Sequence, residues 1–314
     1  MKNLPRSALI IGGTGFIGIN VCKRLVKKNL KVFSISTKLP EKKKKIKGVT
    51  YLICDISNKK QLRRTIKKYK RFDYVLNLGG NVNHRDSKNT LKSHFTGSKN
   101  LADVLIKKKI QRFIQIGSSV EYGNYKSPHK ETYSIKLKSL KSDYGRAKYK
   151  ATKILMDYYL KFNFPVVILR AYQIYGPYQK LNRILPIIIT SCLKKKKFPC
   201  SEGKQIRDFI YIDDFVNVIE KFLNNKTSFN GQIFNIGSAK PIKIKKIIKT
   251  VVKNTHGGQP IFGAIKLRKD ESIRMYPSIE KVKKFTKWRP KINFNKGLKK
   301  TILFYKKHLF DLKN

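Results

Sequence analysis

The chain has few acidic residues: 18 Asp and Glu stand against 72 Lys and Arg over 314 residues, and the formal net charge is +54. This balance indicates either a polyanionic partner or a composition in which lysine occupies most solvated faces. The lysines are spread over nearly every predicted helix and form no basic arm interleaved with aromatic residues. We therefore attribute the charge mainly to composition and do not expect nucleic acid as a partner. Association with nucleic acid or with a membrane surface is kept as a secondary alternative.

Long apolar runs and paired cysteines are also absent. No apolar run reaches the roughly 18–20 residues that a membrane-spanning helix needs, and the short run at residues 9–11 leads straight into glycines, unlike a signal peptide. The four cysteines form no CxxC pair, which is typical of reduced thiols in a cytosolic protein. With 40% hydrophobic residues the chain can still build a core. We expect a cytoplasmic protein with no membrane span and no metal site.

The strongest motif is a glycine-rich heptad at residues 12–18, which follows an apolar strand and opens an amphipathic helix at residues 16–27. Glycines at its first, fourth and seventh positions let the chain turn tightly and let backbone N–H groups approach a pyrophosphate at the helix N-terminus. A strand before and a helix after are the context that a dinucleotide-binding motif requires. The predicted cofactor contacts in this motif are Gly12, Thr14, Gly15, Phe16, Ile17 and Gly18.

The second predicted strand, residues 31–36, ends where the adenosine ribose of a dinucleotide lies, and NAD-specific sites usually place a carboxylate there. This chain has Ser36, Thr37 and Lys38 instead. Two hydroxyls and a cation suit a 2′-phosphate better than a carboxylate would, although Lys38 can also be one more surface lysine. The predicted cofactor is NAD or NADP, with NADPH favoured and with contacts from Ser36 and Lys38.

Further cofactor contacts are predicted where the third and fourth strands end. The Asp55 carboxylate can accept a hydrogen bond from the adenine amino group or cap the following helix. Glycines after the fourth strand let the cofactor pass close to the backbone. His84, in the next loop, could face the active site, although a lone loop histidine is more typical of a solvated side chain. The predicted contacts are Asp55, Ile56, Leu78 and Gly79.

Ser118 follows the fifth strand, and Tyr144 and Lys148 open a helix predicted to reach residue 162. Tyrosine and lysine at i and i+4 share one helix face, and an ammonium near a phenol lowers the phenol pKa from about 10. The tyrosine can then act as general acid or base at a hydroxyl or carbonyl, while Ser118 holds the same oxygen and a nicotinamide exchanges hydride. Such a pair also arises by chance in a lysine-rich chain, but its order after the glycine motif favours catalysis.

Predicted strands and helices alternate up to residue 170, and the strands are almost continuously apolar. This pattern predicts an α/β protein in which a parallel sheet is covered on both faces. We predict a Rossmann-type doubly wound parallel sheet with a smaller C-terminal substrate-binding lobe. The cofactor domain is expected at residues 1–170, with a strand at 232–236 returning to it, and residues 171–314 mostly form the substrate lobe.

These motifs resemble the extended short-chain dehydrogenases/reductases, specifically the NAD-dependent epimerase/dehydratase group that acts on nucleotide sugars. The resemblance covers nearly the whole chain, and it matches Ser118, Tyr144 and Lys148 to the catalytic triad of that group and Asp55 to its adenine contact. It implies a nucleotide-diphosphate-sugar substrate. It also implies a homodimer formed through a four-helix bundle that includes the Tyr144 helix.

The resemblance extends to the substrate lobe. Arg207 and Arg268 match diphosphate contacts, and an arginine fork can meet two phosphate oxygens, with structural ion pairing as the alternative. Ser119 and Gln173 are the other predicted substrate contacts, Gln173 standing where most members have Asn. His94 stands where the family often has Asn; we expect it to contact the backbone of the active-site helix, and a role in the proton path is left open.

One departure argues against dehydration. Dehydratases of this group carry an Asp-Glu pair directly after the catalytic Ser or Thr, where this chain has Ser119 and Val120. Glu121 comes one position later, and an extended segment would send it to the opposite side. We predict instead an oxidoreductase acting at hexose C4, with a 4-ketoreductase slightly favoured over an NAD-retaining 4-epimerase. The alternative of another class is a non-catalytic nucleotide- or RNA-binding protein.

Overall fold

A seven-stranded parallel sheet is the main feature of the computed structural model, which describes residues 6–81, 86–224, 226–267 and 271–309. In chain order the strands are β1 (Ser7–Ile11), β2 (Lys31–Ser36), β3 (Val49–Ile53), β4 (Tyr74–Asn77), β5 (Arg112–Ser118), β6 (Val166–Ala171), β7 (Gln173–Tyr175), β8 (Lys197–Cys200), β9 (Ile206–Tyr211), β10 (Gln232–Ile236), β11 (Pro241–Lys243), β12 (Gln259–Phe262) and β13 (Arg274–Met275).

Helices follow most of these strands. They are α1 (Phe16–Lys27), α2 (Lys59–Lys67), α3 (Ser87–Leu91), α4 (Gly97–Leu105), α5 (Asp143–Phe162), α6 (Ile184–Leu193), α7 (Ile212–Phe222), α8 (Ile244–Thr255), α9 (Glu280–Thr286) and α10 (Phe294–His308). A π-helical turn, Lys92–Thr96, lies between α3 and α4. Throughout the described ranges, no helix combines the length and the apolar character that crossing a membrane requires.

The strand order of the large sheet is β10-β6-β5-β4-β1-β2-β3. The order reverses direction between β1 and β4, and in open parallel sheets ligands bind beyond the carboxyl ends of the strands at such a reversal. Both strands are buried along their whole length, as expected for a sheet covered on its two faces. The predicted fold class, a Rossmann-type doubly wound sheet, is confirmed.

The chain divides into two compact units. The first consists of Met1–Gly123, Glu131–Ala171 and Val216–Phe234, and it contains most of the large sheet. Its core is aliphatic and aromatic: Leu9, Phe33, Val75, Phe113 and Leu155 are among the residues buried together. Burial of this apolar surface, worth about 25 cal/mol per Å², is the main stabilising contribution to the fold.

The second unit consists of Asn124–Lys130, Tyr172–Phe215 and Asn235–Asn314. Its own sheet centres on β9, which pairs antiparallel with β11 and parallel with β7 and β13. Next to this sheet the Tyr175 ring packs against those of Tyr211 and Phe294, with centroids 5.5 and 5.4 Å away.

All four cysteines of the chain are buried free thiols. Burial raises the pKa of the Cys22 thiol to about 12.

Candidate active site

Two glycines of the 12–18 turn, Gly12 and Gly18, occupy positions that have no room for a side chain. Gly12 has a φ of +78°, and a Cβ added to it would lie 2.9 Å from the Gly79 Cα. A Cβ on Gly18 would lie only 2.2 Å from the Gly12 carbonyl oxygen, so α1 packs on the turn without room for a side chain. The Gly15 N–H donates to that same carbonyl at 3.0 Å and closes the turn. Gly12 and Gly18 are therefore required by the fold itself.

Gly15 is different, because a Cβ there would meet only the Gly12 carbonyl oxygen, at 3.3 Å. It is the N-cap of α1, where no side chain caps the helix, and the first turn of this fully described helix has no acidic residue. The N–H groups of the first turn, at the positive end of the helix dipole, therefore have no capping side chain. The residues present thus fit a dinucleotide whose pyrophosphate lies at this helix end.

At the adenosine end the predicted contacts form a local network. The Thr14 hydroxyl donates to the Ser36 hydroxyl at 3.0 Å, and Ser36 in turn donates to the Ile35 carbonyl. Thr37 and Lys38 are exposed, and no carboxylate ends β2. This edge therefore presents hydroxyls and an ammonium, as the sequence predicted.

Asp55 organises the turn after β3. Its Oδ1 accepts from the Ser57 N–H at 2.9 Å and from the Ser57 hydroxyl at 2.7 Å, while Asn58 is the N-cap of α2. Ile56 is buried, and Leu78 and Gly79 are half-buried at the end of β4. The capping alternative for Asp55 is thus taken by Asn58. Its predicted contact with adenine stays a prediction.

The predicted catalytic residues lie on two elements that a lysine joins. Ser118 ends β5, and Tyr144 and Lys148 lie in the first two turns of α5, whose N-cap Ser142 accepts from the Gly145 N–H at 3.0 Å. The Lys148 Nζ donates to the Ile116 carbonyl on β5 at 2.8 Å, and it lies 5.9 Å from the centre of the Tyr144 ring. The lysine therefore holds the tyrosine helix against the strand that carries Ser118.

Burial sets the charge state of this lysine. Lys148 is buried, and desolvation lowers its pKa to about 8, opposed by the negative charge of Glu121. An ammonium in such a site interacts strongly with a neighbouring phenol, because little water screens it. A lysine in this position can stabilise the phenolate of Tyr144, which general acid–base chemistry by a tyrosine requires.

His94 packs against the tyrosine. Its ring meets the Tyr144 ring edge-on with centroids 5.2 Å apart, and its Nε2 lies 3.0 Å from the Asn81 carbonyl oxygen. It lies in the π-helical turn between α3 and α4. A Cβ on Gly80 would lie 1.9 Å from the His94 ring, so the wider turn places a side chain in tight contact with the β4 loop. His84, also predicted near the site, lies outside the described residues.

The expected extended conformation after Ser118 is wrong. Ser119–Tyr122 is a 3₁₀ turn in which the Ser118 hydroxyl and the Glu121 carboxylate form a capping box, with the Ser118 N–H donating to Glu121 Oε1 at 2.7 Å. The free N–H groups at the start of the turn are satisfied by these two side chains, which favours the turn over a strand. The Ser-x-x-Glu spacing is the sequence signal that would have indicated it. Glu121 is fully buried as a result.

The predicted substrate contacts have different environments. In the second unit, Arg207 is buried, donating from Nη2 to Glu271 Oε1 at 2.8 Å and from Nη1 to the Ile206 carbonyl at 2.9 Å. Gln173 opens β7 with an exposed side chain, and in the first unit Ser119 is buried. Arg268 lies outside the described residues. Arg207 thus forms a structural ion pair, the alternative given for it above. Its contact with a substrate diphosphate stays a prediction.

The parallel sheet, the glycine-rich turn and the Tyr144–Lys148 pair beside β5 define an enzyme of the extended short-chain dehydrogenase/reductase type. Residues 8–237 match the model of the NAD dependent epimerase/dehydratase family. The chain belongs to that family, and the resemblance inferred from its motifs is confirmed.

Its relatives catalyse several reactions. The human dTDP-D-glucose 4,6-dehydratase is 27% identical over 341 residues, covering 98% of this chain and 92% of the human protein. The UDP-N-acetyl-alpha-D-glucosaminuronate decarboxylase of Bacillus cytotoxicus is 26% identical over 321 residues, covering 96% and 98% of the two chains. The crystal structure of UDP-glucuronic acid 4-epimerase from Bacillus cereus with UDP-glucuronic acid and NAD has a TM-score of 0.87 at 24% identity, covering 97% of this chain and 100% of that one. That likeness shows the shared fold.

Proposed function

We propose that this enzyme transfers hydride at carbon 4 of the hexose of a nucleotide-diphosphate sugar, and that it reduces a 4-keto sugar with NADPH. The observation that carries the proposal is the buried Lys148 ammonium, which bonds to β5 and lies 5.9 Å from the centre of the Tyr144 ring. This arrangement activates a phenol for proton transfer at a sugar oxygen.

Each residue has a defined role in the proposed reaction. The Tyr144 phenol donates its proton to the C4 oxygen as the carbonyl becomes a hydroxyl, Lys148 stabilises the phenolate left behind, and Ser118 holds the same oxygen by a hydrogen bond. A nicotinamide dinucleotide, when bound, supplies the hydride. The residues proposed to hold it are Gly12, Thr14, Gly15, Phe16, Ile17, Gly18, Ser36, Lys38, Asp55, Ile56, Leu78, Gly79, Tyr144 and Lys148.

The residues at the C-terminal end of β2 favour NADPH over NADH as the cofactor. Ser36 and Thr37 offer hydroxyls and Lys38 an exposed ammonium, where a carboxylate would repel a 2′-phosphate. NADPH in turn supports net reduction, because a dissociable reduced cofactor is consumed in each turnover.

A 4-epimerase is the second candidate, supported by the named 4-epimerase among the structural neighbours, which was crystallised with NAD. In that reaction Tyr144 would remove the proton of the 4-hydroxyl while hydride passes from C4 to NAD. After the keto sugar turns, hydride would return to the other face of C4 and Tyr144 would return the proton to the oxygen. Dehydration is not proposed, because Ser119 and Val120 occupy the two positions of the acid–base pair and the Glu121 carboxylate is bonded within the protein.

The substrate is proposed to carry a nucleoside diphosphate, as do those named among the relatives and neighbours. Arg207, Arg268, Ser119 and Gln173 are the proposed contacts. Because Arg207 is paired with Glu271, a diphosphate would compete with that carboxylate for the guanidinium.

The decisive experiment follows deuterium from the cofactor to the sugar. The purified enzyme is incubated with dTDP-4-keto-6-deoxyglucose and with UDP-glucose, each with NADPH carrying deuterium at the transferable position. A 4-ketoreductase gives a product with one deuterium at C4 and consumes NADPH in equal amount. A 4-epimerase interconverts UDP-glucose and UDP-galactose with no deuterium incorporated and without added cofactor.

Tyr144→Phe is the control for both outcomes and should lower kcat about 10²–10⁴-fold. Mass spectrometry of ligands released from the purified protein identifies retained NAD or NADP. If the wild type acts on neither substrate class and instead binds RNA with steep salt dependence, the non-catalytic alternative replaces this proposal.

We also propose a homodimer formed through α5. Leu160 is 75% exposed and Phe162 57% exposed at the C-terminal end of this helix, and an interface formed by this helix would bury them. Analytical ultracentrifugation of the wild type should give the mass of a dimer, and Leu160→Glu with Phe162→Glu should give that of a monomer.

A further inference from the structure

We propose that Glu121 is the positioning residue of this active site: its buried carboxylate ties the end of the Ser118 strand to the helix of Tyr144 and Lys148 and keeps Lys148 charged. The proposal rests on the proposed catalytic roles of those three residues. Glu121 itself touches neither substrate nor cofactor in this role.

The carboxylate bonds to three separate elements of the first unit. Oε1 accepts from the Ser118 N–H at the end of β5, at 2.7 Å. Oε2 accepts from the Thr152 hydroxyl on α5 at 2.8 Å and from the Arg170 Nε on β6 at 3.0 Å. Thr152 lies one helical turn beyond Lys148 on the same helix. One side chain therefore fixes the spacing between the serine strand and the lysine helix.

The site around this carboxylate is closed to water. Glu121 and Arg170 have side-chain exposures of 0% and 2%, and the Arg170 guanidinium lies over the Tyr122 ring, 4.6 Å from its centre. A Cβ on Gly117 would lie 2.6 Å from Glu121 Oε1, so a glycine at that position leaves room for the carboxylate. A buried pair of this kind keeps its geometry because an unpaired partner would be costly.

The carboxylate also sets the electrostatics of Lys148. The groups around the lysine are Tyr144 on its own helix, Glu121 from the 3₁₀ turn and the Ile116 carbonyl from β5. Arg170 on β6 binds the far side of the carboxylate, and His94 packs on Tyr144. Burial lowers the pKa of Lys148 and the Glu121 charge raises it. Loss of that negative charge makes deprotonation easier for both Lys148 and Tyr144.

The test is Glu121→Gln, which keeps the shape of the side chain and removes the charge. The Lys148 Cε chemical shift is followed by NMR as a function of pH in protein labelled with ¹³C at lysine Cε, assigned with Lys148→Met, in the absence of cofactor and substrate. We expect the midpoint to fall by about one pH unit. The alkaline limb of kcat for the reduction should move down with it, while KM changes less than kcat.

Thr152→Val is the matched control, because it removes one hydrogen bond to the carboxylate without changing any charge. It should leave the Lys148 midpoint in place. If Glu121→Gln alone fails to fold, the double variant Glu121→Gln with Arg170→Met removes both members of the pair and leaves no unpaired buried charge. It should show a smaller fall of the midpoint, because the Arg170 charge, which disfavours the Lys148 ammonium, is lost as well.

An unchanged midpoint in the folded Glu121→Gln protein, or in the double variant, overturns the proposal, as does an equal shift in Thr152→Val. The midpoint is measured without substrate, so it does not depend on the reaction. A shifted midpoint in an enzyme inactive on both nucleotide-sugar classes would refute the proposed function and leave the role of Glu121 intact.

Discussion

At the scale of single residues, the charge of Lys148, which we propose acts in catalysis, has a cost in stability. Burial lowers its pKa from the usual 10.5 to about 8, which corresponds to about 3 kcal/mol of disfavoured charge. Between these two pH values the unfolded chain binds more protons than the folded one, so the wild type gains stability as pH rises through this window.

Lys148→Met should therefore show its greatest stability advantage over wild type below pH 8, and that advantage should shrink by about 3 kcal/mol towards pH 10.5. Urea unfolding of both proteins from pH 7 to pH 10 measures the difference. Lys153→Met, which removes an exposed lysine of the same helix, is the matched control. If the stability difference between Lys148→Met and the wild type does not change with pH, burial does not disfavour the charged form of Lys148.

The glycines of the 12–18 turn give a second residue-scale prediction. Gly18→Ala places a Cβ 2.2 Å from a backbone oxygen and should destabilise the fold by about 2–4 kcal/mol. Gly15→Ala meets only one atom, at 3.3 Å, so the fold should persist while dinucleotide affinity falls at least about tenfold. Thermal unfolding and calorimetric titration with NADPH and NADH separate the two effects. Equal losses of stability would contradict this assignment.

At the scale of elements, the N-terminus of α5 should matter more to catalysis than to stability. Ser142→Ala removes the side chain that accepts from the Gly145 N–H, one residue beyond Tyr144. We expect a loss of about 1 kcal/mol in stability. We also expect a several-fold fall in kcat, because the first turn of the helix holds the phenol.

Asn58→Ala is the matched control, since Asn58 caps α2 in the same way, by accepting from the Gln61 N–H. Its stability loss should be similar and its kcat unchanged. Urea unfolding and steady-state kinetics on both variants provide the comparison. A kcat that falls equally in both would mean that the tyrosine helix has no special dependence on its cap.

Elements set by local sequence pattern could be predicted almost to the residue. The bounds of α1, β2 and β10 follow from apolar periodicity and glycine, and the structure has them where the pattern indicates. Apolar periodicity predicts neither the 3₁₀ turn at residues 119–122, for which the Ser118-x-x-Glu121 spacing is the local signal, nor the π-helical turn. The first depends on Thr152 and Arg170, which are remote in sequence, and the second on a histidine packed against Gly80. Contacts of this kind decide the geometry of the site.

At the scale of the whole molecule, the charge of +54 is a property of the entire surface. Five lysines, Lys243, Lys245, Lys246, Lys249 and Lys253, line a shallow hollow of about 400 Å³ on β11 and α8. A summed field of this kind raises the local concentration of anions near the protein without selecting among them. It should therefore act on the encounter with an anionic substrate and leave the chemical step unaffected.

The encounter rate should consequently depend on salt. For a nucleotide-diphosphate-sugar substrate, kcat/KM should fall about tenfold between 20 and 500 mM KCl, while kcat stays constant, because the Debye length contracts to about 4 Å and screens the field. Replacing Lys245, Lys246, Lys249 and Lys253 by Gln removes four of the 72 basic residues and should lower kcat/KM by less than about twofold at low salt. If the quadruple variant loses most of the salt dependence, the lysines of α8 form a specific anion site, and the charge would not be a matter of composition alone.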